Sequence, residues 1–193
     1  MKSLLASSIA LIQSEMKDPQ FDITLNPGWG SETENYRLKI REHLATVDSS
    51  LFTREQAIQL YDLNHRPQAK EGFVSISHCK SAGGFSYSKL RHGFDVEEIR
   101  RISDPIILRT SSDAEQAETP HLKFLWVAKE AAYKALSQSQ DLLITDMVCT
   151  GWKQLSDFAV WSYKIQSPKV IQTEVNLGFV FSTPTLFLAI YFR

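Results

Sequence analysis

Residues 186–192 read Leu-Phe-Leu-Ala-Ile-Tyr-Phe, an unbroken apolar run. A run of that length and β-rich composition fits a buried strand, and it is too short to span a membrane as a helix. Such a strand must lie inside a sheet that other elements cover, and this constrains the fold more than any other feature. Three further β-rich stretches precede it, 145–152, 158–166 and 170–182, with Pro168 and Pro184 between them. Ahead of these, Pro120 precedes one long helical pattern over 121–137. Leu125, Ala128, Ala132 and Ala135 make its buried stripe, which leaves Lys129, Glu130 and Lys134 off the core axis.

The first half mixes helices and strands. Leu5, Ile9, Ile12 and Met16 share a helical stripe. Ser7 and Ser8 interrupt the apolar stretch and no Ala-x-Ala site follows, so an amphipathic helix is expected rather than a secretory signal. Pro19, Pro27, Gly28 and Gly30 predict an irregular loop over 18–31, and Tyr36, Ile40 and Leu44 a surface helix within 32–45. Thr53 and Gln56 form a capping box that opens another helix, and Ser112 with Glu115 forms a second. Ser103 with Pro105 marks a further helix start. Phe73–Ser77 alternates like a strand, Gly83-Gly84 turns into a partner over 85–90, and His92-Gly93 turns into a third strand over 94–98. The expected class is α+β, with helices packed on antiparallel sheet.

Composition narrows the function classes. The formal net charge is −1, so no global basic field argues for nucleic acid, and any phosphate recognition must be local. No segment approaches the length of a membrane span, and a cytoplasmic location is expected. Cys79 and Cys149 lack metal-ligand spacing and read as packed thiols.

Two segments carry chemistry. In Gly93-Phe94-Asp95-Val96-Glu97-Glu98, Asp95 and Glu97 are two apart and face one side of a strand. In Trp126-Val127-Ala128-Lys129-Glu130-Ala131-Ala132-Tyr133-Lys134, Glu130 and Lys134 are four apart and share a helix face. Three carboxylates and a pair of lysines, brought together, describe a magnesium site beside a phosphate. Taken singly, each piece is ordinary, since acidic residues alternate on exposed strands and i,i+4 ion pairs decorate helices. Ile76-Ser77-His78 closes a strand and offers a hydroxyl and an imidazole. Arg37, Lys39, Arg41 and Arg54 are either ordinary helix charge or contacts for a remote phosphate.

In order and together, these segments resemble the 4′-phosphopantetheinyl transferase superfamily. Its pattern is a Gly-[Ile/Val]-Asp-[Ile/Val]-Glu strand followed by a Trp-[Ser/Thr]-x-Lys-Glu-[Ala/Ser]-x-x-Lys helix, with a strand ending in Ser-His and a Gly-[Lys/Arg]-Pro upstream. Arg66-Pro67 matches the last in part. Phe94, Val127 and His65 depart from the pattern, and none is a metal ligand in it. The resemblance covers residues 54–137. It implies two similar halves, 1–92 and 93–193, in a pseudo-twofold arrangement with one active site between them, and a monomer like the longer single-chain members.

The implied reaction moves the 4′-phosphopantetheine arm of coenzyme A to a serine of an apo acyl or peptidyl carrier protein. By resemblance, Asp95, Glu97 and Glu130 hold Mg²⁺ or Mn²⁺. Glu130 accepts the serine proton, directly or through a nearby water, and Lys134 contacts the pyrophosphate. Lys129, His78 and Ser77 serve the coenzyme A phosphates, and Arg54 and Arg66 the 3′-phosphate and adenine side. Arg100, Arg101 and Arg109 offer a docking patch for an acidic carrier. Two other readings stand beside this one: a non-catalytic module that binds coenzyme A or a carrier, and a Mg²⁺-dependent phosphohydrolase. Without the resemblance, the residues support a soluble α+β protein with a divalent-metal and phosphate site.

Overall fold

The structure, a computed structural model, describes residues 2–47, 51–63, 67–137, 141–156, 160–167, 169 and 174–193. In chain order its elements are α1 (Lys2–Met16), β1 (Asp22–Asn26), α2 (Tyr36–Val47), α3 (Arg54–Gln59), β2 (Phe73–His78), β3 (Gly83–Ser88) and β4 (His92–Glu98). Then follow α4 (Asp104–Thr110), α5 (Asp113–Glu118), α6 (Leu122–Leu136), β5 (Val148–Ser156), β6 (Val160–Gln166), β7 (Leu177–Ser182) and β8 (Leu186–Phe192). The chain is a mixed α+β protein with two antiparallel sheets, ordered β1-β3-β2 and β4-β8-β7-β6-β5.

The apolar run is β8, and every one of its residues is buried. Its side chains alternate between two cores. Leu188, Ile190 and Phe192 join Phe94, Val96, Phe179 and Phe181 on the face covered by Ile12 of α1 and by Phe21 and Ile23. Phe187, Ala189 and Tyr191 join Leu125, Val127, Ala128 and Leu136 of α6 on the other face. A third core, with Trp29, Ile40, Leu44 and Phe85, holds α2 on the three-stranded sheet. Full burial of Leu125, Val127 or Leu136 contributes roughly 1.5–3 kcal/mol each relative to exposure. α1 therefore packs on the five-stranded sheet although it precedes the other one in the chain.

The structure corrects parts of the sequence reading. Residues 22–26 form an edge strand inside the expected loop, because Ile23 is buried and the strand pairs in register with β3, Asp22 opposite Tyr87. α2 begins at Tyr36 rather than Glu32. β7 begins at Leu177, and 170–173 lie outside the described residues. Both capping boxes are present, at Thr53 with Gln56 and at Ser112 with Glu115.

Small residues set how closely α6 approaches the sheet. Gly93 of β4 lies directly beneath it. A Cβ there would fall 2.1 Å from the Ala131 carbonyl oxygen and 2.6 Å from the Ala135 amide. Only glycine permits that approach. Beside it, the buried Tyr163 hydroxyl donates to the Ala128 carbonyl of α6 at 3.0 Å.

Candidate active site

The two sheets meet where β2 and β4 run side by side. Serine side chains bridge them: Ser75 Oγ accepts from the Phe94 amide at 2.9 Å, and Ser77 Oγ from the Val96 amide at 3.2 Å. On β4, Phe94 and Val96 point into the α1 core, so Asp95 and Glu97 point toward α6. Ser77 Oγ donates to Asp95 Oδ1 at 2.8 Å. From α6, Lys134 Nζ donates to the same oxygen at 2.6 Å, to Ser77 Oγ at 2.9 Å and to the Phe94 carbonyl at 3.2 Å. Gly93 makes this possible, because the close helix contact lowers Lys134 onto Asp95. Phe94, bulkier than the resembling pattern, lies on the opposite face, and Val127 is in the α6 core, so neither intrudes.

The other carboxylates gather around this pair. Burial, then the Asp95 charge, pushes Glu97 up to about 7, Glu130 adding to the rise while the Trp126 indole and Lys134 oppose it. Trp126 Nε1 donates to Glu97 Oε1 at 3.4 Å. Glu130 is also raised, by burial first and Asp95 second, with Lys134 opposing. Asp95 is buried, and its Oδ2 has no hydrogen-bond partner among the described residues. A buried carboxylate oxygen left unpaired is costly, and hard oxygen donors suit a divalent cation. Carboxylate oxygens are the donor type that Mg²⁺ prefers. Among the described residues, however, no three His, Cys, Asp or Glu side chains converge closely enough to hold an ion. Lys134 occupies one Asp95 oxygen and leaves the other.

His78 extends the site toward α2. Its Nε2 lies 3.1 Å from the Tyr36 hydroxyl, and the two rings meet edge to face at 4.5 Å. Arg37 Nε donates to that hydroxyl oxygen at 3.1 Å, so the hydroxyl proton can point at His78. Burial lowers the His78 pKa, and Arg37 and then Lys134 lower it further. A neutral imidazole between two cations is therefore the arrangement near neutral pH. Tyr36 was legible only as a helix-face aromatic, and Arg37 as one charge among several. Their link to His78 is tertiary.

Some expected residues lie elsewhere. Lys129 is fully buried and lies apart from the Ser77–Asp95–Lys134 cluster. Its Nζ pairs with Glu115 Oε1 at 2.8 Å and donates to the Thr110 carbonyl at 2.7 Å. Lys129 and Glu130 are neighbours in sequence, so about 100° of helical turn separates them. Arg54 is exposed in the first turn of α3, and Arg66 lies outside the described residues.

Compared with models of known protein families and with curated proteins, the chain matches none.

Proposed function

We propose that this protein transfers 4′-phosphopantetheine from coenzyme A to a serine hydroxyl of an apo acyl or peptidyl carrier protein. The observation that carries the reading is the Ser77–Asp95–Lys134 constellation, with Asp95 Oδ2 unpaired and Glu97 and Glu130 raised beside it. In this reading the serine oxygen bonds to the pantetheine-bearing phosphorus, the bridging pyrophosphate bond breaks, and adenosine 3′,5′-bisphosphate leaves. Glu130 takes the serine proton, a role suited by a carboxylate whose basicity burial and then Asp95 raise. Lys134 meets the negative charge gathering on the departing oxygen, with Ser77 and Asp95 fixing its ammonium. His78, Tyr36 and Arg37 bind a phosphate of coenzyme A. Asp95, Glu97 and Glu130 would be the residues to hold a Mg²⁺ or Mn²⁺ ion, which would neutralise the pyrophosphate as a Lewis acid.

The reading carries further parts. Residues 1–92 and 93–193 are related by a pseudo-twofold, supported by helices packed on an antiparallel sheet in each half, three strands in one and five in the other. The protein acts as a cytoplasmic monomer. An acidic carrier docks on Arg100, Arg101 and Arg109, all exposed. KM for the carrier should then rise with salt, and Arg101→Ala should reduce that dependence. No change in either counts against the patch.

A second reading, a binding module without turnover, is favoured by the 2.6 Å Lys134–Asp95 contact, which is a complete ion pair as it stands. Intact-mass spectrometry of an apo carrier with this protein, coenzyme A and Mg²⁺ separates the two. One added phosphopantetheine, abolished by EDTA, by Asp95→Ala and by Glu130→Gln, supports transfer. Coenzyme A binding with no mass gain across several carriers supports the module. Release of phosphopantetheine without an acceptor would make the protein a phosphohydrolase.

A further inference from the structure

We propose that a cavity between the tips of the two sheets is a second ligand site, taking an aliphatic carboxylate whose chain fills the cavity and whose head pairs with Arg100. The cavity measures about 540 Å³, within the range of small-molecule sites. Leu25, Pro27 and Ala82 wall it from the three-stranded side, and Ile99, Pro184 and Leu186 from the five-stranded side. It lies apart from the Ser77–Asp95–Lys134 cluster. Glu98, which alternates with Glu97 along β4, lines it, whereas Asp95 and Glu97 face α6. The inference does not depend on the phosphopantetheine reading.

Charge selects the ligand. The lining carries two charged residues, Glu98 and Arg100. Glu98 is only 2% exposed and already engaged, its Oε1 accepting from the Ser81 amide at 2.8 Å and its Oε2 lying 3.4 Å from Arg100 Nε. The Ser81 hydrogen bond, with help from Arg100, holds the Glu98 carboxyl below its ordinary range, so this anchor is an anion at neutral pH. Arg100 has 84% of its side chain exposed. Glu98 engages the guanidinium through Nε and leaves the terminal nitrogens to the solvent side. A carboxylate accepts from that planar fork in bidentate fashion. A cationic head would have to displace Arg100 from Glu98, and an uncharged head would forgo the fork. The apolar walls reward a hydrocarbon chain in proportion to the area it removes from water.

The test is calorimetric titration of the whole protein with decanoate, decanol and decylamine. Decanoate should bind with one equivalent, at least tenfold more tightly than the other two. Arg100→Gln should reduce decanoate to the affinity of decanol, and Ala82→Phe, which fills the cavity, should remove all three. Should Ala82→Phe fail to fold, a decanoate carrying a terminal diazirine is photolysed on the unmodified protein. Labels should then fall within residues 25–27, 81–82 or 184–186. Equal affinity for decanoate and decanol, unchanged decanoate binding in Arg100→Gln, or labels confined to other segments would overturn the site.

Discussion

Replacing Gly93 with alanine tests the geometry on which the candidate site depends. The added Cβ would stand 2.1 Å from the Ala131 carbonyl oxygen, where real contacts stay beyond 3.0 Å. Relief needs a separation of about 0.9 Å between β4 and α6. Neither side yields easily. β4 is hydrogen-bonded to β8 and tied to β2 through Ser75 and Ser77, while α6 is held by Tyr163 and by the buried Lys129–Glu115 pair. If α6 retreats, the Lys134–Asp95 contact lengthens from 2.6 Å to about 3.5 Å, beyond a good hydrogen bond. Overpacking of this kind costs roughly 1–3 kcal/mol, and a misplacement near 1 Å at a reacting centre lowers rates on the order of 10²-fold. Gly93→Ala should therefore melt lower, as followed by circular dichroism, and, on the proposed reading, transfer phosphopantetheine about 10²-fold more slowly in single-turnover mass spectrometry. A variant with both the melting temperature and the rate of the parent would refute the packing of α6 on β4, and with it the account of how Lys134 reaches Asp95.

Three further outcomes are expected. Lys129→Met leaves the buried Glu115 carboxylate hydrogen-bonded to the Ser112 and Cys149 amides but without its counter-ion, and should cost about 3–5 kcal/mol in urea unfolding, whereas Lys129→Met with Glu115→Gln should recover much of the loss. A loss in the double variant equal to the sum of the Lys129→Met and Glu115→Gln losses would mean that the pair carries no coupling. His92 is buried, and burial depresses its pKa from 6.5 to about 4, so its contribution is intact above pH 6.5 and is lost as pH falls toward 4. That loss amounts to roughly 3 kcal/mol, and His92→Gln should flatten thermal stability over this window; a parent-like acid slope would reject the assignment. Glu97 has the opposite sign, because an acid raised from 4.5 to about 7 stabilises the fold when protonated and loses that contribution as pH rises through 7. Glu97→Gln should accordingly be the more stable protein at pH 8 without metal. Mg²⁺ should raise the melting temperature of the parent but not of the variant, and equal Mg²⁺ shifts in both would remove Glu97 from the ion's ligands.

What the sequence disclosed follows from which interactions are local. β8, α6, the pairing of β2 with β3 and both capping boxes rest on periodicity or on contacts within a few residues and were legible, although Gly83-Gly84, read as the hairpin turn, open β3 and pair with His78 and Ser77. β1 was hidden because Pro19, Pro27 and the nearby glycines outweighed the short alternation in Asp22-Ile23-Thr24-Leu25, whose pairing with β3 is some sixty residues away. The burial of Lys129 was hidden for a related reason. A lysine off the apolar stripe is ordinarily solvated, and only the tertiary approach of Glu115 and Thr110 makes its burial tolerable. The positions of Asp95, Glu97, Glu130 and Lys134 could be ordered along a strand and a helix. That the helix packs over Gly93 closely enough to join Lys134 to Asp95 is a distance no spacing rule contains.

The junction between the sheets explains why Ser77 belongs to the site. Where β2 passes β4, the amides of Phe94 and Val96 turn to serine hydroxyls rather than to carbonyls. A hydroxyl has two lone pairs and one proton. Ser77 uses one lone pair for the Val96 amide, the other for Lys134 and the proton for Asp95, so it is saturated. The same oxygen thus joins the two sheets and orients the ion pair. Ser77→Ala would remove all three bonds at once, leaving a buried amide unpaired while the Lys134–Asp95 contact could persist. Ser77→Thr keeps the hydroxyl and should stay near the parent in both stability and, on the proposed reading, transfer, so that a loss seen in Ser77→Ala alone belongs to the hydroxyl. A junction built from side chains rather than a backbone ladder places polar, proton-bearing groups between the sheets, where a substrate reaching across both would meet them.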